Sequence, residues 1–137
     1  EDLEFHPMVT CEPMLITRLD HPLSRRKRIT LRHISKYPLN LPPKNQSTYR
    51  FDQNVFMQQS LEYDVKLEVG GYDVIKKYVQ LDLGISIVMS HCLTDTEDLW
   101  TFIVSRWFSK RSYGVVLRKG KQLSAAAERF LETLGAN

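Results

Sequence analysis

From Leu39 onward, short apolar runs alternate with segments of helical period, and this alternation restricts the chain to folds assembled from βα units. Leu39 to Leu41 reads as a short strand, and Thr48 to Ser60 as a helix with Phe51, Val55 and Phe56 on one face. Val65, Leu67 and Val69 alternate with Lys66 and Glu68 as a second strand. Val74, Ile75, Tyr78 and Val79 trace a second helix, which Gly84 stops. Ile85 to Met89 is a nearly continuous apolar run of the kind a buried parallel strand shows.

The flanks are less regular. Between Glu4 and Leu19, two β-compatible runs are broken by Pro7 and Pro13, which predicts a strand, a bend and a second strand near a sheet edge. Thr30 is placed to cap a short helix through Lys36, with Ile29 and Ile34 forming a hydrophobic staple and Tyr37-Pro38 ending it. Leu99 to Phe108, with Trp100, Phe102 and Val104 alternating, predicts a strand, and Tyr113 to Leu117 another. The last helix carries Leu123, Ala127, Phe130, Leu131 and Leu134 at helical spacing, with Ser124 as amino-terminal cap and Gly135 as its close. These outer segments supply too few strands for a sheet of their own, so part of their fold is expected to be missing.

A chain of 137 residues with 42 % hydrophobic residues can bury the core of one ordinary soluble domain. No stretch approaches the ~18 apolar residues of a membrane span, and the acidic opening Glu1-Asp2-Leu3-Glu4 is unlike a secretory signal, so a cytoplasmic location is expected. Cys11 and Cys92 lie far apart and are expected to be ordinary buried thiols. Much of the net charge of +3 sits in Arg25-Arg26-Lys27-Arg28, which reads as a solvated loop in preference to a phosphate contact, because no aromatics interleave it.

Catalytic chemistry finds little footing. His6, His21, His33 and His91 form no H-x-x-x-H pair, no G-x-S-x-G elbow or Walker loop occurs, and Gly70-Gly71 lacks the remaining glycines of a dinucleotide fingerprint. No enzyme activity, catalytic residue, metal site or cofactor is therefore expected. His33 and His91 are expected at the surface or as caps.

A family likeness is carried by His21-Pro22-Leu23, Ile29-Thr30-Leu31 leading to Tyr37-Pro38-Leu39, Tyr78-Val79-Gln80-Leu81-Asp82-Leu83 running into Gly84-Ile85-Ser86-Ile87, and Leu123-Ser124-Ala125-Ala126-Ala127. In this order and spacing the chain resembles the effector domain of LysR-type transcriptional regulators, and within that family the CysB-like regulators of sulfur assimilation. Asp82 departs from the pattern, standing where the family has the first glycine of a G-x-G turn. The resemblance implies an α/β, periplasmic-binding-protein-like (type 2) effector domain. Residues 1–16 would be a remnant of subdomain I with the first hinge strand, 17–112 a complete Rossmann-like subdomain II, and 113–137 the second hinge strand and carboxy-terminal helix of subdomain I. It further implies a small anionic effector bound in the cleft between subdomains, promoter DNA bound by a winged helix-turn-helix not in this chain, and a homodimer or homotetramer of the full-length protein away from membranes.

Two strand-to-helix turns are candidates for that effector. In Pro42 to Tyr49, Lys44, Gln46, Ser47 and Thr48 precede or open a helix and could hold a carboxylate or other anion. In Val69 to Asp73, Gly70 and Gly71 leave backbone N–H groups uncovered, and Tyr72 could close over a ligand or simply pack. By themselves these residues also fit ordinary caps and turns; the resemblance tips them toward an effector. It also aligns Ser47 with a ligand-binding hydroxyl of the CysB type and Gly70 with a lost one, implying an effector other than sulfate or O-acetylserine. Two other functions fit the same pattern: a transport solute-binding protein of the same fold, which a signal sequence upstream would mark, and a Rossmann-like enzyme fragment, which lacks its cofactor motif.

Overall fold

A computed structural model describes residues 2–135. Glu1 of the acidic opening and residues 136–137 of the predicted last segment lie outside the described residues. The chain divides into two compact units, residues 12–109 and the flanking pair 1–11 with 110–137.

In the larger unit, β2 (Pro13–Thr17), β3 (Leu39–Leu41), β4 (Val65–Glu68), β5 (Ser86–Met89) and β6 (Trp100–Ile103) form one mixed sheet. β3 and β4 pair in parallel, and β3 joins β5 through the parallel bridge Leu39↔Ile85. β2 pairs antiparallel with both β5 and β6, so the spatial order is β4-β3-β5-β2-β6. Two expectations change here. The Pro13–Thr17 strand is central instead of near an edge, because Pro13 occupies the first strand position, where a missing N–H is tolerated. The buried run Ser86–Met89 is parallel on one side only: it accepts β3 there and the antiparallel β2 on the other.

Helices cover both faces of this sheet. Leu15, Ile85 and Ile87 pack with α1 (Leu31–Ser35) and α2 (Ser47–Gln58) through Leu31, Ile34, Tyr49 and Phe56. The alternate residues Ile16 and Val88 pack with α3 (Tyr72–Gln80) through Ile75 and Val79. Sequence periodicity misassigns part of α2: Phe51 is 59 % exposed, whereas Tyr49, Asp52 and Phe56 are buried at i, i+3 and i+7. In α3, Val74 of the expected stripe faces outward.

Local chemistry fixes the connections. The Thr30 hydroxyl accepts the His33 N–H while His33 Nδ1 accepts the Thr30 N–H, a capping box, and Ile29 and Ile34 are both buried in one cluster as the staple requires. At the end of α3, the Leu83 N–H donates to the Tyr78 carbonyl and the Asp82 N–H to the Val79 carbonyl, a Schellman motif with Asp82 at φ 60. Asp82 thus takes the left-handed conformation that the absent glycine would supply. Gly84 is required in its place: at φ +99, an added Cβ would lie 2.7 Å from Asn40 Oδ1. The expected Leu99–Phe108 strand stops at Ile103, where Val104 turns the chain inward and accepts the Trp107 and Phe108 N–H groups. Cys11 is buried as expected, but Cys92 is only half-buried.

In the smaller unit, β1 (Leu3–Cys11) pairs antiparallel with β7 (Arg111–Arg118), with an irregularity between Pro7 and Val9. α4 (Ala125–Thr133) begins with the Ser124 hydroxyl accepting the Ala127 N–H and has no buried residue; Phe130 is 61 % exposed.

Candidate ligand-binding site

Because β3 and β4 pair in parallel, with Leu41 opposite Glu68 after an irregularity between Leu39 and Asn40, their carboxyl ends lie side by side. The Val69 N–H donates to the Leu41 carbonyl at 2.9 Å, tying the two departing turns together. All seven predicted residues therefore sit on two neighbouring turns: Lys44, Gln46, Ser47 and Thr48 where α2 begins, Gly70, Gly71 and Tyr72 where α3 begins.

Neither helix start carries a side-chain cap. The N-cap of α2 is Gln46, so Ser47 and Thr48 are its first helical residues and not the caps that the simpler alternative requires. The N-cap of α3 is Gly71 at φ 91, a left-handed position that favours glycine. A Cβ at Gly70 or Gly71 would meet no atom within 4 Å, so the space over this turn is open. The positive ends of both helix dipoles lie at these turns, where they favour an anion.

Lys44 Nζ lies 3.5 Å from Glu68 Oε1, but Lys44 is exposed, and such a pair contributes little and exchanges readily for another anion. Periodicity alone did not bring in a third turn. β5 is parallel to β3, so its carboxyl end also arrives at this edge, followed by a single 3₁₀ turn, Ser90–Cys92. The Tyr72 and His91 rings meet edge-on at 6.4 Å. Ser90 is held by two bonds to Glu12, its N–H donating to the Glu12 carbonyl and its Oγ accepting the Glu12 N–H. The apolar run before Ser90 was the available signal, since every parallel strand in such a sheet delivers a turn to the same edge.

This third turn is fastened to α3 by Lys76. Its ammonium donates to the Cys92 carbonyl at 2.6 Å, bonds Glu97 Oε1 closely, and lies 3.6 Å from Asp73. Only 13 % of the Lys76 side chain and 16 % of the Glu97 side chain are exposed. The hydrogen bond to Glu97 holds the lysine pKa above its ordinary value despite desolvation, so Lys76 stays charged. Among the described residues, no group of three or more His, Cys, Asp or Glu could hold a metal ion, and no helix is long and apolar enough to cross a membrane.

The whole chain, residues 1–137, matches the family profile described as LysR substrate binding domain. It is 28 % identical over 127 residues to the HTH-type transcriptional activator CmpR of Synechocystis, covering 90 % of this chain and 42 % of CmpR. It is 31 % identical over 117 residues to the HTH-type transcriptional regulator CysB of Burkholderia cenocepacia, covering 84 % of this chain and 37 % of CysB. Among solved structures, the regulatory domain of CcmR from Synechocystis in complex with 2-PG superposes with a TM-score of 0.84 at 28 % identity, over 97 % of this chain and 65 % of that one. The chain thus spans about two-fifths of the length of these curated relatives, which are named as transcriptional regulators. With its α/β architecture and the match over its full length, the chain belongs to the LysR substrate-binding domain family.

Proposed function

We propose that the larger unit is the effector sensor of a LysR-type transcriptional regulator, binding a small anionic metabolite at the turns around Lys44 to Thr48, Gly70 to Tyr72 and Ser90-His91. The observation that carries this reading is the convergence of three parallel-strand carboxyl ends on one edge, two of them leading into helix starts without side-chain caps. The 2-PG complex of CcmR supports the anionic character of the ligand. Residues 17–112 would then be subdomain II and residues 1–16 and 113–137 parts of subdomain I, in a cytoplasmic homodimer or homotetramer. Effector binding favours one arrangement of the full-length protein over another, and a DNA-binding domain outside this chain reports it as a change in transcription.

The test is thermal shift of the chain against a panel of small carboxylates and oxyanions that includes 2-PG, with Ser47→Ala and Gly71→Val alongside. A saturable rise in Tm that both substitutions weaken is expected. No shift with any compound, or a shift indifferent to both substitutions, would sink the assignment of these turns.

A further inference from the structure

At the other end of α2 from the candidate turns, roughly 18 Å away along the helix axis, lies a groove of about 600 Å³. Thr30, Arg32 and His33 of the α1 start, Gln59 beyond α2, and Arg106 and Trp107 of the turn after β6 line it, all within the larger unit. Its volume falls in the ~300–1,000 Å³ range of small-molecule sites. We propose that this groove is a second binding site, taking a multiply charged oxyanion of the phosphate class.

The charge arrangement carries the argument. No carboxylate lines the groove, and among the described residues neither Arg32 nor Arg106 forms an ion pair with an acid. The Arg106 guanidinium instead lies 5.3 Å over the Trp107 ring, which holds it in place while leaving its N–H donors uncommitted to any carboxylate. From Arg25 to Lys36 the sequence contains six Lys and Arg and no Asp or Glu, and residues 30–33 of this basic stretch line the groove. The field is felt locally: His33 is held below its ordinary pKa by desolvation and then by Arg26 and Lys36. Arg32 and Arg106 both line this open groove, so an anion held in it is attracted by both. A phosphate group, with two charges and three acceptor oxygens, can engage two forks at once, which a monocarboxylate cannot do with both oxygens on each. The exposed run Arg25 to Arg28 beside α1 adds long-range attraction for such a ligand.

The same chemistry is offered by a free phosphorylated metabolite and by the backbone of duplex DNA. Both are tested on the whole chain at low ionic strength, using pyrophosphate and a random-sequence 20-base-pair duplex, with calorimetry and tryptophan emission as readouts. Saturable pyrophosphate binding is expected, weakened at least tenfold in Arg32→Gln/Arg106→Gln. It should be unchanged in Lys121→Gln/Arg129→Gln, which removes the same charge from the smaller unit. Arg32→Lys/Arg106→Lys keeps the charge and loses the forks, so it should fall between, and the melting temperature of each variant shows that it is folded. Duplex binding with the same dependence on Arg32 and Arg106 identifies the backbone as the source; pyrophosphate binding alone identifies a free phosphorylated compound. The proposal is overturned if neither probe saturates, if Arg32→Gln/Arg106→Gln binds at full strength, or if both charge-removing pairs weaken binding equally, which would mean diffuse attraction.

Discussion

Two residues end their helices at a conformational cost. Ser60, at φ 52, and Asp82, at φ 60, each occupy the left-handed position of a Schellman motif, with the Leu61 N–H donating to the Phe56 carbonyl just as the Leu83 N–H donates to that of Tyr78. Left-handed backbone costs a non-glycine residue on the order of 1 kcal/mol, less for Asp. Ser60→Gly is therefore expected to raise unfolding free energy by about 0.5–1 kcal/mol in urea titration. Asp82→Gly should gain less, since Arg18 lies 3.6 Å from its carboxylate. Two histidines carry the opposite kind of information. His21 Nδ1 accepts the Leu23 N–H and His33 Nδ1 that of Thr30, so each cap needs a neutral ring. Both pKa values lie below the ordinary 6.5: desolvation dominates for each, opposed at His21 by Asp82. Between 6.5 and those lowered values the unfolded chain binds more protons than the folded one, so stability present at neutral pH falls as the solution is acidified below about 6.5. The urea midpoint should drop over that window, and His21→Asn with His33→Gln, which keep an acceptor without titrating, should flatten the drop; an unchanged pH profile in that pair would refute the role. The family pattern made Asp82 legible as a departure, but not that the backbone conformation survives it.

At the scale of the element, type and order were legible, while faces and partners were less so. The capping box and staple of α1 followed from Ile29, Thr30 and Ile34, because such signals are local in sequence. Phe51 was misplaced because α2 buries the polar Asp52 in its inward stripe, and a pattern search that counts only apolar residues turns the helix toward its exposed side. The antiparallel partner of Ser86–Met89 was hidden for another reason: an apolar run records burial, not the direction of its neighbour. The candidate turns were legible because strand and helix limits place them; the third turn's attachment was not, since it depends on Lys76 meeting Glu97, 21 residues away. That attachment makes its own prediction. Lys76→Met leaves the Glu97 carboxylate half-buried without its cation and should cost about 3 kcal/mol in urea unfolding. Lys76→Met with Glu97→Leu should recover most of the loss; no recovery would show that the lysine acts through something other than this pair.

For the whole molecule, the division into two units sets a gradient of stability. The larger unit buries two apolar clusters on opposite faces of its sheet. The smaller exposes Phe5, Val9, Val116, Phe130 and Leu134 and buries no residue of α4. Hydrogen exchange should therefore find the amides of β2 and β5 the slowest in the chain and those of α4 among the fastest, with the smaller unit losing structure first on heating. Equal protection in α4 and β5 would show that its apolar face is covered in solution.

The central place of β2 also fixes an order of events in time. Pro13–Thr17 finds its hydrogen-bond partners only at residues 86–89 and 100–103, more than 65 residues later in the chain. At a synthesis rate of roughly 5–20 residues per second, this apolar strand waits on the order of 4–15 s for its first partner to be made. Both ladders of β2 thus close only after β3 and β4 can already pair, and during every round of translation the segment that will be most protected is for some seconds open to aggregation or to a chaperone.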